Sequence, residues 1–223
     1  MPDALAVFRA NMVDADTLTA LYDYLSGSMG EALSFDDLLR SKFVYVVSAF
    51  DKLIHDVVRQ GMLEIYTGAR QPTPKYLAEP IPMYVVQQLI TSTTPPPEVI
   101  FEQTIRSKLK ILSFQDPDKV SDGLAYIWDE SQKWQKIATA IGADQKVTRT
   151  TLKVISTRRN SIVHEADIDP VSETKRQISR SEVESVATLL RKVGEAIYAL
   201  TRCGPTHRST GPATVHASAG RLA

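Results

Sequence analysis

The sequence predicts an all-α fold: a helical bundle with one long second helix and one proline-rich excursion. Apolar residues recur every three or four positions through most of the 223 residues, the period of helices with one buried face. The segment Phe43 to Val47 has strand propensity, but the helical spacing on both sides decides against a strand. Prolines gather between residues 67 and 82 and again at Pro95-Pro96-Pro97, so the breaks fall between patterned segments.

Each element follows from its own signals. Residues 3 to 27 carry Leu5, Phe8, Met12, Leu18, Leu21, Tyr22 and Leu25 at helical spacing and form one or two helices. Ser34-Phe35-Asp36-Asp37 reads as an N-cap followed by acids in the first turn, opening a long helix to about Tyr66. Gly68, Pro72, Pro74, Pro80 and Pro82 break any helix and mark a long connection. A short helix from Met83 to Thr91 and a further one from Glu98 to Phe114 follow. Asp116-Pro117 opens the next helix, ending near Gly142, with Trp128 and Trp134 at core spacing; base-stacking platforms are the rarer use of such residues. Thr148 or Thr150 caps a helix that ends before Asp169-Pro170, and Ser181 with Glu184 makes a capping box for the last helix, to Thr201. The chain thus divides into an N-terminal helical segment (1–33), a helical domain (34–203) and a tail (204–223) whose composition predicts disorder.

Composition narrows the function. A content of 43% hydrophobic residues supports a substantial core. Lys+Arg and Asp+Glu both number 26, so no global basic field advertises nucleic acid. Locally the balance differs: from Gln145 to Asn160 the chain carries Lys146, Arg149, Lys153, Arg158 and Arg159 and no acid. This is either a solvated helix face or a track for RNA phosphates, and its place directly before the motif described next favours the track. Cys203 is the only cysteine, so no intrachain disulfide forms, and we read it as inert. His207 and His216 lie in the tail and carry no expected chemistry. No metal-spaced cluster or glycine-rich phosphate loop is visible, so neither metal nor cofactor is expected. No apolar leader and no run of membrane-spanning length occur, so the expectation is a soluble cytoplasmic protein without membrane contact.

Arg159-Asn160-Ser161-Ile162-Val163-His164 is the stretch that departs most from simple patterning. Leu152, Ile155, Ile162 and Ala166 share a stripe, and Arg159 occupies the slot where another aliphatic belongs. A charge there is costly unless it is paired or used. Asn160, His164 and Asp167 fall on the adjoining face at i, i+4 and i+7. Together they offer a cation, an amide, an imidazole and a carboxylate, a set suited to phosphate chemistry. The structural alternative is Arg159 paired with a core carboxylate such as Asp51 or Asp167. Ser48, Asp51 and His55 form a further polar stripe on the long helix, where Asp51 either orients Arg159 or His164 or makes an interhelix hydrogen bond. Positions five apart on a helix differ by about 140° and about 7.5 Å, so Arg159 and His164 of one chain do not converge on one atom. Two chains related by a twofold axis along residues 148 to 167 would bring them together.

The string from Arg159 to Asp167 resembles the R-x4-6-H signature of the HEPN superfamily, with Asn160 as the usual polar residue after the arginine. The segment Leu38 to Asp56 resembles the opening long helix of its RiboL-PSP branch, and the likeness covers roughly residues 34 to 203. The resemblance implies an all-α domain that forms a homodimer through the motif helix and, in many members, a metal-independent RNase. It assigns catalysis to Arg159, His164 and Asn160, leaves Asp51, His55 and Asp167 as supporting candidates, and sets the domain among toxins or phage-defence effectors restrained by an inhibitory partner protein. Other members are thought to bind nucleotides or to act as non-catalytic dimeric interaction modules, and a neutral net charge suits that alternative. A chance occurrence of the motif in an unrelated helical domain is the third reading.

Overall fold

The computed structural model describes residues 3–29 and 33–202; the predicted tail, with Cys203, His207 and His216, lies outside the described residues. These residues form nine helices and no strand, only an isolated bridge between Ile168 and Lys175. In chain order they are α1 (Ala4–Met29), α2 (Asp36–Tyr66), α3 (Pro74–Leu77), α4 (Met83–Thr91), α5 (Pro97–Leu109), α6 (Pro117–Leu124), α7 (Lys133–Ala140), α8 (Gln145–His164) and α9 (Arg180–Arg202).

Helix α2 is the axis of the fold. Its 31 residues span about 46 Å, and Leu39, Phe43, Val46, Val47, Phe50, Leu53, Ile54 and Val58 are all at most 1% exposed. Such wide burial requires neighbours on several sides, and α1, α5, α6, α8 and α9 all pack against it. Phe8 and Met12 of α1 and Val183, Leu190 and Ile197 of α9 share its core. A Cβ at Gly194 would lie 2.8 Å from Leu53 and 2.9 Å from Phe8, so glycine is what lets α1, α2 and α9 meet this closely. Lys42, fully buried, cross-links the same three helices: its Nζ donates to Asp16 (3.0 Å), Thr19 (2.7 Å) and Glu184 (2.6 Å).

Several boundaries differ from expectation, each for a local physical reason. Of the one or two helices expected over residues 3 to 27 there is one, Ala4–Met29. The predicted helix from Asp116 to Gly142 is two, α6 and α7, because carbonyls between them are taken elsewhere. Thr73 Oγ1 bonds to the carbonyls of Ala125 and Tyr126, and Arg70 Nη1 donates to that of Ile127. Pro74 starts a helix instead of breaking one: at N1 it lacks only an N–H that has no intrahelical partner, and Thr73 caps the turn. Helix α8 begins earlier than expected, capped by Asp144, whose carboxylate accepts from the Val147 N–H at 2.8 Å, while the Thr148 hydroxyl donates to the Asp144 carbonyl. At α9 the cap is Ser179, bonded by the Glu182 N–H at 3.2 Å, not Ser181; Glu184 is left free for Lys42. Trp134 is core, 5% exposed, with its indole N–H on the Pro117 carbonyl.

Candidate active site on helix α8

Helix α8 lies on α2, α6 and α7 and is buried through Thr148, Leu152, Ile155 and Ser156. Arg159 sits on that same side, half-buried, in the slot the spacing assigns it. Asn160 and His164 are exposed, and His164 is the last residue of the helix.

Beyond His164 the predicted stripe does not continue. Ala166 and Asp167 adopt left-handed backbone conformations (φ 52° and 60°), ending the helix and turning Asp167 inward. Its N–H donates to the Ser161 carbonyl, its own carbonyl accepts from the Arg176 N–H, and its side chain is fully buried. Oδ2 accepts from Arg40 Nε at 2.9 Å and from Arg158 Nη2 at 2.8 Å. Arg40 also donates to Asp37 and to the Arg176 carbonyl, and Arg158 to the Gln177 carbonyl. Asp167 thus ties the start of α2, the end of α8 and the following loop into one buried knot, and it does not share a face with Asn160 and His164.

The knot decides what Arg159 is left to do. Its hydrogen bond is from Nη1 to Asn160 Oδ1 at 3.2 Å, and its buried Nε has no partner. No carboxylate pairs with it among the described residues; Asp167 is occupied by Arg40 and Arg158.

The model of the RiboL-PSP-HEPN family matches residues 14–200. This chain belongs to that family. Neither a curated protein nor a solved structure matches it.

The other residues singled out in this HEPN domain fall into two groups. Asp51 Oδ1 accepts from the Phe114 N–H at 2.5 Å, and Oδ2 lies 3.7 Å from His55 Nε2. The His55 ring sits 4.6 Å from that of Phe114, so this polar stripe holds the end of the α5–α6 connection. Of the basic track, Arg158 is committed to Asp167, whereas Lys146, Arg149 and Lys153 line one groove of about 490 Å³ between α6, α7 and α8. Sequence reasoning missed Arg40, although its signal was present: it lies three and seven positions before Phe43 and Val47 on a buried face, the same kind of interruption that flagged Arg159. Among the described residues no three His, Cys, Asp or Glu side chains are grouped so as to hold a metal ion. No helix there is long and apolar enough to cross a membrane.

Proposed function

We propose that this HEPN domain is a metal-independent endoribonuclease that cleaves RNA through the ribose 2′-hydroxyl, with Arg159, Asn160 and His164 as its catalytic residues. The observation that carries the reading is the contrast between adjacent arginines: Arg158 is neutralised by a buried carboxylate, while Arg159 has no acidic partner among the described residues and lies beside an exposed Asn160 on the helix that ends at His164. A half-buried guanidinium without a counter-ion is costly to keep and well suited to stabilising an anion that appears only in the transition state.

In this mechanism the His164 imidazole accepts the 2′-hydroxyl proton. The 2′-oxygen forms a bond to the adjacent phosphorus and the bond from phosphorus to O5′ breaks. The His164 imidazolium so formed, or solvent, returns a proton to O5′, giving a 2′,3′-cyclic phosphate and a 5′-hydroxyl. Arg159 meets the extra negative charge on the phosphorane with its planar fork, and Asn160 holds the phosphate or the imidazole. Because Arg159 and His164 point about 140° apart on one helix, the site is composite and requires a homodimer paired through the region around residues 148 to 167. The setting that fits is a cytoplasmic toxin or phage-defence effector controlled by an inhibitory protein.

The direct test is incubation of the purified protein with RNA carrying single 2′-deoxy substitutions. The substituted linkages are expected to resist cleavage, excess chelator to leave cleavage unchanged, and the new 3′ end to carry a cyclic phosphate. Cleavage at a 2′-deoxy linkage at the normal rate, or activity that needs added Mg²⁺ or Mn²⁺, overturns the mechanism. Mixing Arg159→Ala with His164→Ala protein is expected to restore part of the cleavage, since a mixed dimer keeps one intact arginine and one intact histidine; a stable monomer at micromolar concentration contradicts the composite site. A folded, dimeric, inhibitor-free protein that cuts no RNA leaves the non-catalytic binding module, which the balanced net charge favours.

A further inference from the structure

The exposed edge of α8 is more ordered than its composition suggests. Lys146, Thr150, Lys153, Thr157, Asn160 and His164 are all exposed and are spaced alternately four and three apart. That spacing sets them on one nearly straight line along the helix. The line starts in the groove between α6, α7 and α8 and ends at the motif histidine.

The groove has the chemistry of a phosphate track. It holds about 490 Å³ and is lined by Lys146, Arg149 and Lys153, with the amides of Gln135 and Gln145 as further donors; of its two carboxylates, Asp118 pairs with Arg149 and Asp144 caps α8 by accepting from the Val147 N–H. Arg149 is held at its edge by an exposed pair with Asp118 at 2.5 Å, a contact that solvent screening makes weak and exchangeable. No ion pair occupies Lys146 or Lys153 among the described residues, although Lys136 nearby pairs with Glu130. Two free cations and one loosely held one, in a polar channel collinear with the motif, are what a polyanionic strand recognises.

We propose that this groove binds the sugar-phosphate backbone of single-stranded RNA at a distance from the cleavage point, so that it sets the length of RNA the domain engages. The proposal rests on the endoribonuclease reading for the choice of RNA. Along α8, Lys153 lies about 16 Å and Lys146 about 27 Å from His164, or roughly five to eight nucleotides of a stacked strand at about 3.4 Å each. RNA shorter than this reaches the motif but not the groove.

The experiment reads binding alone, in a His164→Ala background, by fluorescence anisotropy with unstructured oligoribonucleotides of about 4 and about 16 nucleotides, the range of common single-strand sites. The parent is expected to bind the longer RNA at least tenfold more tightly. Lys146→Glu with Lys153→Glu is expected to abolish that gain and to lower the slope of log affinity against log salt by about 1.4, for two phosphates no longer neutralised. The paired glutamine changes are expected to give a smaller loss in the same direction, and Lys192→Glu, on α9, to keep the parent's length dependence. Far-ultraviolet helicity of each variant is expected to match the parent, since both lysines are exposed. A folded double-glutamate variant that keeps the full length dependence overturns the groove proposal while leaving the catalytic reading intact. Failure of the parent to bind RNA of either length overturns both.

Discussion

Arg158 and Arg159 are neighbours in sequence with opposite fates. One faces the fully buried Asp167 and, with Arg40, closes a knot between α2, α8 and the loop beyond it. The other lies over the apolar seam of α8 with an amide for company and no carboxylate partner among the described residues. A step of about 100° around the helix separates a charge used for architecture from one held in reserve. The comparison shows how a helix can keep a cation without a carboxylate partner among the described residues: the carboxylate that could quench it is already shared by two other arginines.

Removing Asp167 should produce the largest effect. Asp167→Ala leaves Arg158 without a counter-ion and Arg40 with only the exposed Asp37, and loss of a buried partner of this kind costs about 3–5 kcal/mol. Thermal melting should fall by roughly 6–20 °C in a chain of this size, and cleavage should fall with it wherever the protein is partly unfolded. An unchanged melting temperature would mean that the knot is not what holds the end of α8.

His164→Ala and Arg159→Ala should invert that pattern. Each is expected to lower RNA cleavage by about 10²-fold or more with melting close to that of the parent. Arg159→Lys should not fully restore the rate, because a point charge replaces a planar fork. If Arg159→Ala destabilises the fold as Asp167→Ala does, the contrast between the two arginines fails.

Asp51 provides a smaller test on α2. Its bond from the Phe114 N–H predicts a stability loss of about 1.5 kcal/mol for Asp51→Ala, the lower end for a hydrogen bond to a charged group. A fall in cleavage with melting unchanged would instead link Asp51 to the motif.

The smallest effect is expected at the Lys42 cross-link. Burial alone would raise the Glu184 carboxyl, but hydrogen bonds from Lys42 and Thr19 outweigh it and hold the group below its ordinary value of 4.5. An acid depressed in the folded state contributes stability above its unfolded pKa and loses it as pH falls through the folded one. Melting temperature should therefore drop below about pH 4.5, and Glu184→Gln should flatten that part of the profile; an identical acid limb in the variant would show that the pair contributes nothing.

The groove and the motif differ in how far they could be read in advance. Arg159, Asn160 and His164 stand out because a charge interrupts an apolar period, and local helix geometry fixes which face each one takes. The groove needs α6 and α7 to supply its other wall, and their separation depends on Thr73 and Arg70 drawing on carbonyls more than fifty residues away.

The sequence by itself determined the all-α class, the long central helix, the slot of Arg159 and the face that Asn160 shares with His164, because each follows from a period of 3.6 residues within one segment. Tertiary structure alone decided where Asp167 goes. Its extrapolated stripe position assumed a helix running past His164, whereas two left-handed residues end it there, and the carboxylate turns to meet Arg40 from a helix more than 120 residues earlier. The pairing of a buried charge is settled by whichever partner packing brings within about 3 Å, and no local period carries that information.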